Sequence, residues 1–164
     1  MMRFQSAVLV AVMACTASST LHGQVLTQRS ISLQLARTIA DAALAACTRD
    51  GNDVTAAVVD RAGDLVLLIR SDKANPHNAE LARRKAYTSR TFGITTLEFR
   101  NRTAGASDFA GQRQLADVIP LGGGVPIRAG TEIIGALGIS GSPVQEADEK
   151  CALAGLAAAA DQLK

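Results

Sequence analysis

The sequence predicts one α+β domain: an antiparallel sheet of about five strands with a helix at each end of the fold. Three observations carry this. Apolar residues recur at helical spacing over residues 32–50. Small residues fill 151–160, after a strong helix-start signal. Between them lie β-rich runs at 54–60, 65–70, 116–121, 125–128 and 132–140, several separated by short turns. Strands joined by short turns pair antiparallel.

The first helix starts at Ser32, a good N-cap, and stops before Gly51, a good residue to follow a helix end. Ile31, Leu35, Ile39, Ala42, Ala43 and Ala46 recur near helical spacing. The first two strands are split by Asp60-Arg-Ala-Gly-Asp64, a hairpin turn with Gly63 where positive φ is needed. Asn75-Pro76 reads as an N-cap with Pro at the first helical position, opening a helix to about Phe92. A short helix over 96–103 follows, and 105–114 reads as loop. Ala129-Gly130 turns the chain into the strand 132–140. The last helix reads as capped by Ser142, with Pro143 next and Gln145 completing a capping box. Glu146, Asp148 and Glu149 fall in its early turns, where the helix dipole favours negative charge. Small residues let the first and last helices approach closely. If the two pack antiparallel, the end of one meets the start of the other, and a Cys47–Cys151 disulfide is expected. The alternative is two buried free thiols acting as small apolar groups.

The start of the chain has the pattern of a secretory signal. Arg3 precedes the apolar run 6–14, and small residues follow. That run is too short to span a bilayer. Cleavage is expected between 17 and 24, leaving residues 24–164 as a single domain in the periplasm or outside the cell. Val12-Met-Ala-Cys15 is a weak lipobox lookalike. Without Arg3 the net charge falls from +2 to +1, which points to neither nucleic acid nor an anionic membrane. Tyr87 is the only tyrosine and there is no tryptophan, so base-stacking platforms are not expected. The mature region keeps one histidine, His77, and two cysteines with no CxxC pair. That rules out a His-rich zinc site within one chain.

Several segments taken together resemble the GlcG/HbpS family of small haem-binding-type domains, which includes the C-terminal domain of PduO-like proteins. The matching residues are Ala57-Val-Val-Asp-Arg-Ala-Gly-Asp-Leu65 with Arg70-Ser-Asp72, and Ala82-Arg-Arg-Lys-Ala-Tyr-Thr-Ser89. They continue through Gly122-Gly-Gly-Val-Pro-Ile127, Ile134-Gly-Ala-Leu-Gly-Ile-Ser-Gly141 and Asp148-Glu-Lys-Cys-Ala-Leu-Ala-Gly155. The resemblance implies a profilin-like fold, with a five-stranded antiparallel sheet and the terminal helices on one face. It also implies homo-oligomers, dimers or larger. Some members bind haem and an exported one acts with a sensor kinase. Others, encoded beside metabolic enzymes, have no settled activity.

Haem iron takes His, Met, Cys thiolate or Tyr. No methionine lies beyond residue 13, and the cysteines are expected to pair, which leaves His77 and Tyr87. In the first turn of a helix the positive helix end keeps an imidazole neutral and able to ligate. An exposed first-turn residue carries the same signature, and Tyr87 equally suits a core or an interface. Basic residues crowd 83–113. Of these, Arg83 and Lys85 are candidates to pair with haem propionates or a small organic acid, or to form a solvated face. Gly122, Gly123 and Gly124 fit neither a Walker A loop nor a dinucleotide fingerprint, so no nucleotide is expected. Their backbone either lines a pocket or makes a tight bend between strands. No Gly-x-Ser-x-Gly elbow is present, and no catalytic residue is assigned. The leading expectation is an exported, non-catalytic haem- or tetrapyrrole-binding domain. One alternative is an enzyme or accessory protein acting on a small organic acid or carbonyl compound through Lys85. The other is an oligomeric interaction or sensory module.

Overall fold

The computed structural model describes residues 25–164. The leader read at 1–23, its cleavage site and Cys15 lie outside the described residues. The elements run α1 (Leu33–Arg49), β1 (Thr55–Asp60), β2 (Leu65–Arg70), α2 (Asn78–Phe92), α3 (Thr96–Arg102), β3 (Gly124–Ala129), β4 (Glu132–Ser140) and α4 (Gln145–Ala158). Short 3-10 helices cover Ala110–Gln114 and Ala160–Gln162. The four strands form one antiparallel sheet in the order β2-β1-β4-β3. The expected α+β class and antiparallel sheet are present, with four strands where about five were expected.

Local chemistry explains the elements that the sequence signals well. Ser32 Oγ accepts from the Leu35 amide and caps α1. At the hairpin, Asp60 Oδ1 accepts the amide protons of Ala62, Gly63 and Asp64 at 2.8–3.0 Å, and Gly63 takes φ +96°. Asp60 is therefore a turn residue. Helices α1 and α4 cover one face of the sheet and bury Ala56, Val58, Val125, Ile127, Leu137 and Ile139 beneath Ile39, Ala43 and Ala152. The small side chains let the two helices touch: a Cβ on Gly155 would stand 2.6 Å from the Ile39 carbonyl. Cys47 and Cys151 meet at this contact and are joined, with Cα atoms 5.5 Å apart.

Helix α2 lies on the opposite face, where Ala86 packs against Val59 and Ala136. Its approach is close because Gly138 has no side chain. A Cβ there would collide with the Ala82 carbonyl and would stand 2.6 Å from the Ala86 nitrogen. This contact fixes where the side chains of α2 emerge.

Three expectations are corrected. Residues 116–121 are not a strand. Asp117 takes φ +63°, Pro120 has no amide proton, and the Ile119 amide donates to Thr88 Oγ1 instead of to a sheet neighbour. The Val118 carbonyl is likewise taken, by Arg84. Helix α2 starts at Asn78, three residues after Asn75. Residues 75–78 form a turn, closed by the Asn78 amide on the Asn75 carbonyl, and His77 holds the cap position. Helix α4 starts at Gln145 with Val144 at its cap and no side-chain cap bond. Ser142 does not cap it. The Ser142 amide instead donates to Asp148 Oδ1 at 2.9 Å, and Gln145 Oε1 accepts from the Gly122 amide.

Candidate functional site

The starts of α2 and α4 face each other across the end of β4 and enclose a cavity of about 370 Å³. His77, Asn78, Leu81 and Lys85 line it from α2. Leu121 contributes from the loop before β3, and Ser140, Ser142, Gln145 and Asp148 from the other side. His77, Leu81 and Lys85 are four residues apart, so one stripe of α2 faces the space. His77 is exposed at the mouth and makes no side-chain cap bond.

Lys85 is 2% exposed and sits at the inner end. Its Nζ donates to Asp148 Oδ2 at 2.8 Å and to the Ile139 carbonyl at 3.0 Å. Burial pushes the Lys85 ammonium below the ordinary lysine value, partly offset by the charge and hydrogen bond of Asp148. Asp148 is buried too, and its other oxygen is occupied by the Ser142 amide. The pair thus ties α2 to α4 and β4, and it leaves the cavity without an uncompensated charge.

The glycines at 122–124 build the wall behind this pair. Gly123 takes φ +118°, and a Cβ on it would stand 2.5 Å from the Ile139 carbonyl and 2.8 Å from Asp148 Cβ. The amides of Gly122 and Gly124 donate to Gln145 Oε1 and Thr96 Oγ1, both at 2.7 Å. Those two amides are therefore occupied within the fold, and the segment acts as a bend that makes room for Lys85 and Asp148.

Of the residues singled out in the sequence, His77 and Lys85 come together. Arg83 and Tyr87 do not join them. Arg83 pairs with Asp117, and the Tyr87 ring packs over Gly63 at the hairpin turn. The missed members are Asn78, Ser140, Ser142 and Asp148. Helical spacing from His77 and Lys85 would have separated Tyr87 from the site, but no local signal places Ser140 there.

A second depression, of about 400 Å³, lies at the hairpin and is lined by Gln28, Ser30, Asp60, Arg61 and Arg90. Its polar groups are committed to the fold. Asp60 holds three amides, Arg61 donates to Gln28 Oε1, and Arg90 donates to the Arg61 carbonyl. Among the described residues no group of three His, Cys, Asp or Glu is placed to hold a metal ion. No described helix is long and apolar enough to cross a membrane.

The fold and cavity define a small α+β domain with a donor-rich cleft between two helix starts. The chain belongs to the HbpS-like family, described as haem degrading protein HbpS-like, whose model matches residues 31–157. It is 29% identical over 120 residues to an uncharacterized 15.0 kDa protein of the dhaT–dhaS intergenic region of Citrobacter freundii, covering 71% of this chain and 84% of that protein. It is also similar to a doubly substituted form of Streptomyces reticuli HbpS, at 31% identity and TM-score 0.78, covering 93% of this chain and 97% of that one. A PduOC structure solved as a haem complex is 26% identical with TM-score 0.74, covering 79% of this chain and 94% of that one.

Proposed function

We propose that this protein is an exported, non-catalytic binding protein for haem or a related tetrapyrrole, taken at the α2–α4 cavity with His77 as the iron ligand. The observation that carries this is the placement of His77, the sole histidine of the described residues, exposed at the mouth of a cleft rich in hydrogen-bond donors. A histidine side chain suits haem iron, and the adjoining donors suit a carboxylate edge. The haem-bound PduOC relative and the family's description support the same ligand.

Export is supported by the signal pattern over 1–23 and by the Cys47–Cys151 bond, which suits an oxidising compartment. Homo-oligomer formation is part of the proposal. It is supported by edge strand β2, whose Leu65 and Leu68 are 49% and 38% exposed. Binding without turnover is supported by Asp148, the one carboxylate lining the cavity, which is held by Lys85 and the Ser142 amide. The family's description favours a second reading, in which bound haem is broken down.

The test is a haemin titration of the mature protein followed in the Soret region, with His77→Ala in parallel. The expected result is a saturable spectral change in the wild type that weakens at least about tenfold in the variant. No saturable change would end the haem reading. An unaltered titration of His77→Ala would remove His77 as the ligand. Addition of peroxide separates the two readings: a band that outlasts that of free haemin supports binding, and accelerated loss supports breakdown.

A further inference from the structure

We infer that the α2–α4 cavity is a carboxylate site, and that haem enters it propionate-first with its macrocycle standing at the mouth. The orientation rests on the haem reading above. The carboxylate site itself rests on the lining.

That lining does not suit a hydrocarbon ring. Its large apolar side chains are only Leu81, Leu121 and Pro143. A buried macrocycle needs mostly apolar walls. At about 370 Å³ the space lies near the small end of ligand cavities, which run from roughly 300 to 1,000 Å³. It can admit an arm of a tetrapyrrole more readily than the whole ring.

The same lining suits a carboxylate. Asn78 is 3% exposed, lines the cavity and makes no side-chain hydrogen bond to a described residue. Its Nδ2 lies only 3.1 Å from where a Cβ on Gly141 would be, so that glycine leaves the amide room. The polar atoms of Asn78 are not among the fully buried unpartnered ones of the described residues, so they reach the cavity and are open to a ligand. Lys85 uses two of its three N–H groups on Asp148 and Ile139, which leaves one donor. Ser140 and Ser142 line the space as well, with Ser142 Oγ 3.8 Å from Cys47 Sγ. Helix α4, fourteen residues long, starts at the cavity without a side-chain cap, so its first amides and the positive end of its dipole favour an anion. Asp148 does not oppose one, because its charge is compensated by Lys85.

A carboxylate could arrive on haem or as a free organic acid, and one set of titrations separates these. Wild-type protein is titrated with haemin and with haemin dimethyl ester in the same dilute detergent, and separately with succinate by calorimetry. The ester alters the ligand and not the protein, so folding is not at issue. Asn78→Leu and Ser140→Ala are run beside it. The expected result is that haemin binds at least tenfold more tightly than its ester. Both variants weaken haemin and leave the ester unchanged, and succinate competes with haemin. Equal affinity for haemin and ester would overturn the propionate-first inference while leaving the haem reading intact. If haemin and ester both fail to bind, the haem reading falls. Saturable succinate binding that is lost in Asn78→Leu would then keep the carboxylate site with a free acid as its source. Failure of succinate as well would overturn the site.

Discussion

Replacing Cys47 and Cys151 together by alanine lowers the unfolding free energy by about 2–5 kcal/mol. The bond joins the last turn of α1 to the second turn of α4 across 104 residues. In the chain-entropy account, a closed loop of about 100 residues is worth up to roughly 4.7 kcal/mol through restriction of the unfolded chain. Both cysteines are buried in the α1–α4 contact, so alanine is the better replacement, because a serine hydroxyl there would add a polar group needing a partner. Equilibrium denaturation in urea reads the effect as a lower midpoint. A thiol assay on unfolded, unreduced wild type should find no free thiol at either position. Two reactive thiols, or coincident denaturation curves, would remove the bond from the account.

Lys85→Met is expected to be the most damaging single change at the cavity, at about 3–5 kcal/mol. It leaves the Asp148 carboxylate buried with one amide partner and no opposite charge. Asp148→Leu should cost a similar amount by stranding the ammonium. The double variant Lys85→Met/Asp148→Leu should recover much of the loss, because a buried ion pair replaced by apolar groups is often near neutral. A double-mutant cycle in urea measures this coupling. Singles that lose less than about 0.5 kcal/mol, or a double equal to their sum, would show that the pair does not hold α2 to α4.

Legibility in the sequence followed the range of the interactions. Helix α1 and the β1–β2 hairpin were readable because Ser32, Gly51, Asp60 and Gly63 act within a few residues of themselves. Residues 116–121 read as a strand because they are apolar, but the Ile119 amide and the Val118 carbonyl are taken by Thr88 and Arg84 of α2, over thirty residues away. The start of α4 was misplaced for a similar reason. Its Ser-Pro-x-Gln pattern is used in tertiary contacts, with Ser142 bonding Asp148 and Gln145 bonding Gly122. At the cavity, His77 stands out by residue type and Lys85 by family resemblance. Asp148 reads as a dipole charge within a family-matching segment, and its pairing with Lys85, 63 residues away on α2, has no local signal. Tyr87 is a candidate by its ligand chemistry and Arg83 by its place in the basic stretch, yet helical geometry turns both away from the stripe formed by His77, Leu81 and Lys85.

The central claim is that ligand binding takes place between the starts of α2 and α4. Amide spectra of ¹⁵N-labelled mature protein, recorded with substoichiometric haemin, test it most directly, since paramagnetic iron broadens nearby resonances. The account predicts selective broadening at His77, Asn78, Leu81 and residues 140–145. Broadening centred on Gly63 and Tyr87, or spread evenly over the surface, would contradict it.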